Sequence, residues 1–431
     1  MTASLDRHFQ SDSPIVIPDR YHDLAHVPEG TLAVRGAGLS YVAASFDTHS
    51  TSIGMESFNR ILSFNAADKT ITVEAGLTLG KLHDFLAAHR LCLPVQPGYP
   101  ALTIGGCVAA DVHGKNHGRD GTFGRHVLDL KLIHPDHGTM TVCPSDPLFA
   151  LTVGGFGLTG MIVAVSLRLV SIPGPAMVLD QIAFQSVEEG AQLLDRLSPS
   201  FDMAYAWLDL SNPGNAAGKG FITTAAWVQE TDDAPAGIRP PILGRARPTP
   251  VPVFNRLSMP VINTLYRWNA LRRGQTRASL ESVLWPALGK ETYFQFYGKA
   301  GFVESQVLIA QDRFADYVKA WRACQRKHQV PVMLATLKLF SGGQPSLLRY
   351  DGEGISFTID VANTSDAMAF LAELDGLNVE YGARSCIIKD SRLSAAVVKA
   401  HYADYESFRD RLKEFDPQRR FVTALSRRLE L

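Results

Sequence analysis

A chain of 431 residues, 46% hydrophobic and 20% charged, exceeds the size at which one hydrophobic core usually stops growing, so two globular units are expected. Its formal net charge of −1 leaves no overall field to draw in nucleic acid, and no nucleic-acid partner is expected. Cys92, Cys107, Cys143, Cys324 and Cys386 are scattered without C-x-x-C spacing, which argues against a disulfide framework or a zinc site and for a reducing, cytoplasmic setting.

The first residues, MTASLDRHFQSDSPIVIPDRYHD, have charges interrupting every apolar run, and no window elsewhere approaches the apolar length of a membrane span. Neither a secretory signal nor a spanning helix is expected, and at most peripheral contact with the inner face of a membrane. Between Thr31 and Leu169 short strand-like runs alternate with glycine turns and one clear helix, without regular βαβα spacing, so the fold class is α+β. Ile71–Glu74 alternates and is β-branched. Thr78 then precedes Leu79, Leu82, Phe85 and Leu86, an amphipathic stripe with a threonine N-cap. Val127–Ile133 and Thr139–Val142 flank the turn Pro135-Asp136-His137-Gly138, a hairpin signal, and Met161–Leu169 reads as a further strand.

The cluster Pro173-Gly174-Pro175 reads as a linker, so the first unit comprises residues 1–173 and 384–431, and residues 174–383 form an inserted unit. Within the insertion, Ala236–Pro260 holds six prolines and arginines 239, 245, 247 and 256. Proline at that density predicts a long mobile loop, one that shapes access to the site or meets a lipid phosphate. The tail shows helical spacing at Phe408, Leu412 and Phe415.

Four stretches carry chemistry. Arg35-Gly36-Ala37-Gly38-Leu39-Ser40-Tyr41 offers backbone N–H groups that can approach a phosphate, although an ordinary glycine turn between strands explains it equally well taken alone. Gln96 to Gly118 runs through TIGG and small residues into HGKNHG, which suits a planar ring, a diphosphate and an anion. His113 and His117 have the i, i+4 spacing of a chelate, but the flanking glycines disfavour the helix a chelate would need, so no metal is expected. Val153-Gly154-Gly155-Phe156-Gly157-Leu158-Thr159-Gly160 precedes a strand and reads either as a further ligand loop or as a helix-to-strand connection. Lys389 in KDSR emerges from an apolar run, which fits a base, a fixed cation or a solvated lysine at a strand end.

Together, VEAGLTLGKLHDFLAAHRLCLPVQPGYPALTIGGCVAADVHG and GGFGLTGMIV resemble the FAD-binding domains of the vanillyl-alcohol-oxidase (PCMH) superfamily. Within it, RGAGLSY, CVAADVHGKNHG, FGLTGMI, LKLF, KDSR and RRLEL are similar to the decaprenylphosphoryl-β-D-ribose 2′-oxidase family. The resemblance implies a two-part FAD domain with an inserted α+β substrate domain, and oxidation of a secondary sugar hydroxyl. It also implies quinone or oxygen as electron acceptor and a separate NAD(P)H-dependent short-chain reductase completing an epimerisation. Carried over by position, FAD would meet Arg35, Gly36, Ala37, Gly38, Leu39, Ser40 and Tyr41, then Pro97, Gly98, Thr103, Gly105, Gly106 and Cys107. It would also meet Ala109, Ala110, His113, Gly114, Asn116, Gly157, Gly160 and Ile162. Lys389 and His113 would be catalytic, the lysine as base or electrostatic stabiliser and the histidine orienting the ring or a phosphate. Gln306, Lys338, Thr358 and Cys386 would line the substrate side. The chain departs from the family at Leu39, Val42 and Ala43, at Thr358 where the family has a cysteine, and at Cys386 where it has a tyrosine. RGAGLSY has no histidine, so non-covalent FAD is expected. An oxygen-using alditol or sugar oxidase and a non-catalytic flavin-binding protein are the alternatives.

Overall fold

Strand Leu32–Arg35 lies parallel to Thr51–Gly54, which also pairs with Ile15–Val16. The RGAGLSY loop leaves the end of the first of these strands. This computed structural model describes residues 2–213, 218–228, 248–343 and 345–431. A five-stranded antiparallel sheet lies beside the small parallel one, with Met161–Arg168 between Thr70–Glu74 and Val127–His134. The expected hairpin forms, with Gly138 opposite His134 and in the left-handed region that its turn requires. Thr78 caps the helix Leu79–Ala87 by accepting from the Lys81 N–H, and the stripe Leu79, Leu82 and Leu86 is buried against the sheet.

The chain then builds one eight-stranded sheet from Ala176 to Ser385, antiparallel throughout. Side chains alternate across such a sheet, so each strand contributes to two different faces. Val303, Val307, Leu337, Phe357 and Ile359 pack beneath helices Val187–Leu197, Phe314–His328 and Ser365–Glu380, around Trp321 and Phe370. The register puts Glu304 opposite Asp360, Gln306 opposite Thr358, and Lys338 opposite Ser356, on the other face. That face is polar yet buried, because it closes against the first body.

After Ser385 the chain returns to the first body. Val422 N–H donates to the Leu32 carbonyl at 2.8 Å, and helices Tyr405–Phe415 and Ala424–Arg428 pack with Val42, Phe156 and Leu158.

Two boundaries differ from expectation. Arg384–Ser385, assigned from sequence to the returning segment, is the edge strand of the eight-stranded sheet, paired with Leu308 and Val307. Residues 236–247 of the proline-rich stretch lie outside the described residues. Its end is not a loop, because helix Ser258–Leu271 begins inside it. Pro260 occupies the first turn, where N–H groups have no intrahelical acceptor and proline is tolerated. No helix among the described residues is long and apolar enough to cross a membrane.

Candidate active site

Two helix starts are stitched back to back by the sequence GLTL and its counterpart LTIGG. Thr78 bridges Thr103, Gly105 N–H donates to the Ala75 carbonyl at 2.8 Å, and Ile104 N–H donates to the Leu77 carbonyl at 2.9 Å. A Cβ on Gly105 would lie 2.9 Å from that of Ala75, and one on Gly36 would lie 2.3 Å from Thr103 Oγ1. Bare backbone is therefore what lets the RGAGLSY loop and the LTIGG turn approach each other. Between them opens a cavity of about 390 Å³. Its wall takes Gly36, Ala37, Gly38, Leu39, Ser40 and Tyr41 from the first loop, and Pro97, Gly98, Thr103, Gly105, Gly106, Cys107, Ala109 and Ala110 from the second. Gly157, Gly160 and Ile162 come from the third glycine stretch, and His113, Lys338 and Lys389 complete the polar side. At Gly98 and Gly157 an added Cβ would meet nothing within 4 Å, so these glycines keep the cavity itself open. The N–H groups of Ala37, Gly38 and Leu39 donate to no protein acceptor among the described residues.

The polar side is where the sheet register matters. Lys389 Nζ lies 3.1 Å from Glu304 Oε1 and 4.5 Å from the centre of the Tyr41 ring. Burial disfavours its charge, but the Glu304 carboxylate outweighs burial and lifts the ammonium above lysine's usual range. Lys338 has no ion-pair partner among the described residues, and burial together with the charge of Lys389 outweighs the pull of Glu304 and lowers it to about 8. Asp360, opposite Glu304, is pushed well above the usual carboxyl range by burial and by the Glu304 charge, and the Tyr293 hydroxyl donates to it at 3.2 Å. The Gln306 amide donates to Ser356 Oγ at 2.8 Å and to His113 Nε2 at 3.0 Å, and Tyr350 shares Ser356 at 3.0 Å. These partners assign His113 as neutral with its proton on Nδ1, toward the Gly114 carbonyl. Burial and the Lys338 charge likewise hold its pKa well below the usual value.

Several positions named from sequence lie off the cavity wall. Lys115 and Asn116 are not free donors for an anion. The ammonium bonds the Leu284 carbonyl and, desolvated and facing Lys338, falls to about 7; the Asn116 amide bonds the Pro94 carbonyl and Asp120. Gly114 packs on Gln96. His117 donates into the protein, to Asp351 at 2.8 Å, and stacks on Phe340. Cys386 is fully buried with Leu308, Phe340 and Tyr350, its thiol raised to about 12 by desolvation, which makes it a packing residue. Gln306 acts one layer back through His113, and Thr358 sits beside it on the sheet. Arg35 is also off the wall, but its guanidinium abuts Gly38 and its buried Nη1 has no partner among the described residues. Sequence reasoning missed Glu304, Asp360, Ser356 and Tyr350. The available signal was polar residues at alternate positions, Glu304 and Gln306 in FVESQVLI and Ser356, Thr358 and Asp360 in GISFTIDVA.

The rest of KDSR holds Lys389 in place. Arg392 forks onto both oxygens of Asp375 at 2.7 Å and reaches Asp390 at 3.0 Å, tying the loop to helix Ser365–Glu380 of the sheet body. Arg392→Ala leaves two carboxyls without a cation in a mostly buried setting, and should lower unfolding free energy by ~3–5 kcal/mol, read from the denaturant midpoint. A loss under ~1 kcal/mol, the value of an exposed pair, would remove this anchoring role.

Residues 23–144 match a family described as an FAD binding domain. The chain is 27% identical over 92% of its length to decaprenylphosphoryl-β-D-ribose oxidase of Mycolicibacterium smegmatis, of which it covers 88%. It is 27% identical over 82% of its length to an uncharacterized protein of Streptomyces coelicolor, covered in full. A shorter match, 29% identical over 33% of this chain and 25% of the relative, is to the mitochondrial D-lactate dehydrogenase (cytochrome) 1 of Saccharomyces cerevisiae.

Proposed function

We propose that this chain, which belongs to the FAD-linked oxidase superfamily, oxidises a secondary hydroxyl of a polyprenylphosphoryl-β-D-ribose-like sugar to the ketone, using non-covalently held FAD. The residues fit that cofactor. Unused N–H groups at Ala37, Gly38 and Leu39 and the orphaned Nη1 of Arg35 suit a diphosphate, and the cavity continues past glycines to a polar end at the sheet. When bound, FAD supplies the hydride acceptor for oxidation of a C–H next to the hydroxyl.

The observation that carries the reading is a pair of half-buried lysines at one end of an otherwise apolar cavity, one ion-paired to Glu304 and the other without a carboxylate partner among the described residues. Lys389, held charged by Glu304, supplies a fixed positive charge where negative charge develops. Lys338, lowered to about 8, is the group matched to take the hydroxyl proton near neutral pH. His113, neutral and fixed by Gln306, orients the substrate or ring without adding charge. Reduction of the ketone by a separate NAD(P)H-dependent reductase would complete an epimerisation, and quinone or oxygen would reoxidise the flavin.

The test is anaerobic bleaching of the purified yellow protein by polyprenylphosphoryl pentoses, free sugars and alditols. Bleaching by the lipid-linked pentoses supports the reading; bleaching by simple polyols with peroxide formed in air selects an alditol oxidase instead. Acid or heat denaturation followed by filtration should release all the flavin as FAD, since RGAGLSY offers no histidine. Flavin retained on the precipitate would overturn the non-covalent assignment.

A further inference from the structure

Helix Ser258–Leu271 is apolar on two sides, and only one of them is covered. Met259, Asn263 and Ala270 face the protein, with Tyr266 against Trp207 and Phe221. The opposite side presents Leu257, 85% exposed, Val261, 60%, Leu265, 59%, and Trp268, 58%. At 100° per residue these four fall within one stripe, spaced i, i+4, i+8 and i+11. Of the twelve exposed large hydrophobic side chains among the described residues, six besides Tyr266 lie between positions 251 and 268, so this is a concentrated patch and not ordinary scatter. The same segment is strongly basic. Residues 248–280 contain Arg256, Arg267, Arg272, Arg273 and Arg277 and no Asp or Glu, in a chain whose net charge is −1. Arg272 lies over the Trp268 ring at 4.3 Å.

We infer that this helix docks the enzyme on an anionic phospholipid surface, lying in the interface with its apolar stripe among the acyl chains and its arginines at the headgroups. An apolar stripe in a segment that carries arginines and no acidic residue of its own is complementary to such a surface. A purely apolar partner would have no use for the charge, and an acidic protein alone would have none for Leu257, Val261 and Leu265. The helix also connects to the site. Phe254 and Met259 at its start pack with Tyr297, Phe302 and Phe294, and Phe294 lines the cavity. A docked helix therefore brings the cavity's flank to the membrane that would hold a lipid-linked substrate; that last step rests on the proposed function, whereas the docking itself does not.

The experiment is flotation of the FAD-loaded protein with phosphatidylcholine vesicles, with and without phosphatidylglycerol, alongside sedimentation without lipid. Wild-type protein should float with the anionic vesicles and lose binding as salt rises. The double variant Leu265→Glu, Trp268→Glu, altered only at exposed positions, should partition at least ~10-fold less, given the apolar area removed. Arg272→Gln with Arg273→Gln should lose on the order of 10-fold. Wild-type protein that ignores anionic vesicles, or variants that float as well as it does, would overturn the inference. So would a wild-type dimer without lipid that the Leu265→Glu, Trp268→Glu change converts to monomer, since the patch would then cover a second copy. Bleaching by a short-chain, water-soluble phosphoryl pentose separates the two readings. It should be equal in wild type and double variant, and its absence beside intact vesicle binding would count against the substrate, not the docking.

Discussion

Lys389→Met is expected to slow reduction of bound flavin by saturating substrate at least ~100-fold while leaving FAD bound, the lower end of what a positioned charge or proton-transfer group contributes. Methionine keeps the unbranched stem beside Tyr41 and deletes only the ammonium. The groups proposed to hold FAD lie elsewhere, on backbone of the glycine loops, so binding and chemistry should separate. Removing the cation also leaves Glu304 facing Asp360 across the strand pair, an uncompensated buried charge that can loosen the fold. The double change Lys389→Met, Glu304→Gln removes that complication and should restore the midpoint of unfolding without restoring the rate. Lys389→Arg keeps the charge and should recover part of the rate. Anaerobic stopped-flow absorbance makes the measurement; near-normal reduction by the methionine variant would take Lys389 out of the chemistry, and loss of FAD would recast it as a cofactor anchor.

The difference between what the sequence revealed and what it hid follows the range of the interactions. The Thr78 cap, the Gly138 hairpin and the glycine loops are local: each needs one residue type at one backbone position, and the amino-acid order displays it. The cavity wall was legible for the same reason, since bare backbone must be written as glycine or alanine. What stayed hidden depends on register between strands some fifty residues apart in sequence. That Glu304 meets Asp360, and that Gln306 meets both Ser356 and His113, is fixed by how Phe302–Ile309 pairs with Gly354–Ala362 and how the sheet closes on the HGKNHG loop. The same loop shows the opposite failure. Its donors were visible, but their acceptors, the carbonyls of Leu284 and Pro94 and the carboxylate of Asp351, lie elsewhere in the chain, so a structural clasp looked like an anion site. The cysteine at 386 misled in a similar way, because the resemblance that aligns it with a tyrosine of the family says nothing about burial.

The pH dependence of flavin reduction should report Lys338. A base accepts a proton only when it is itself unprotonated, and the Lys338 amine, lowered by burial and by the charge of Lys389 from the ordinary lysine value to about 8, is mostly protonated at neutral pH and mostly neutral one unit above its pKa. Reduction at saturating substrate should therefore rise ~10-fold between about pH 7 and pH 9 and level off above, with the rate lost on the acid side. The sign separates the two lysines. Lys389, lifted by Glu304, stays charged across this range and adds no limb of its own. Lys338→Met should flatten the profile and cut the plateau on the order of 100-fold. Lys338→Arg decides between charge and proton transfer, because guanidinium keeps the cation and cannot deprotonate in this range: it should be as slow and as flat as the methionine variant, whereas Lys389→Arg should not. A Lys338→Arg enzyme that reduces flavin at the wild-type rate, or a wild-type profile that is flat from neutral pH upward, would exclude Lys338 as the proton acceptor.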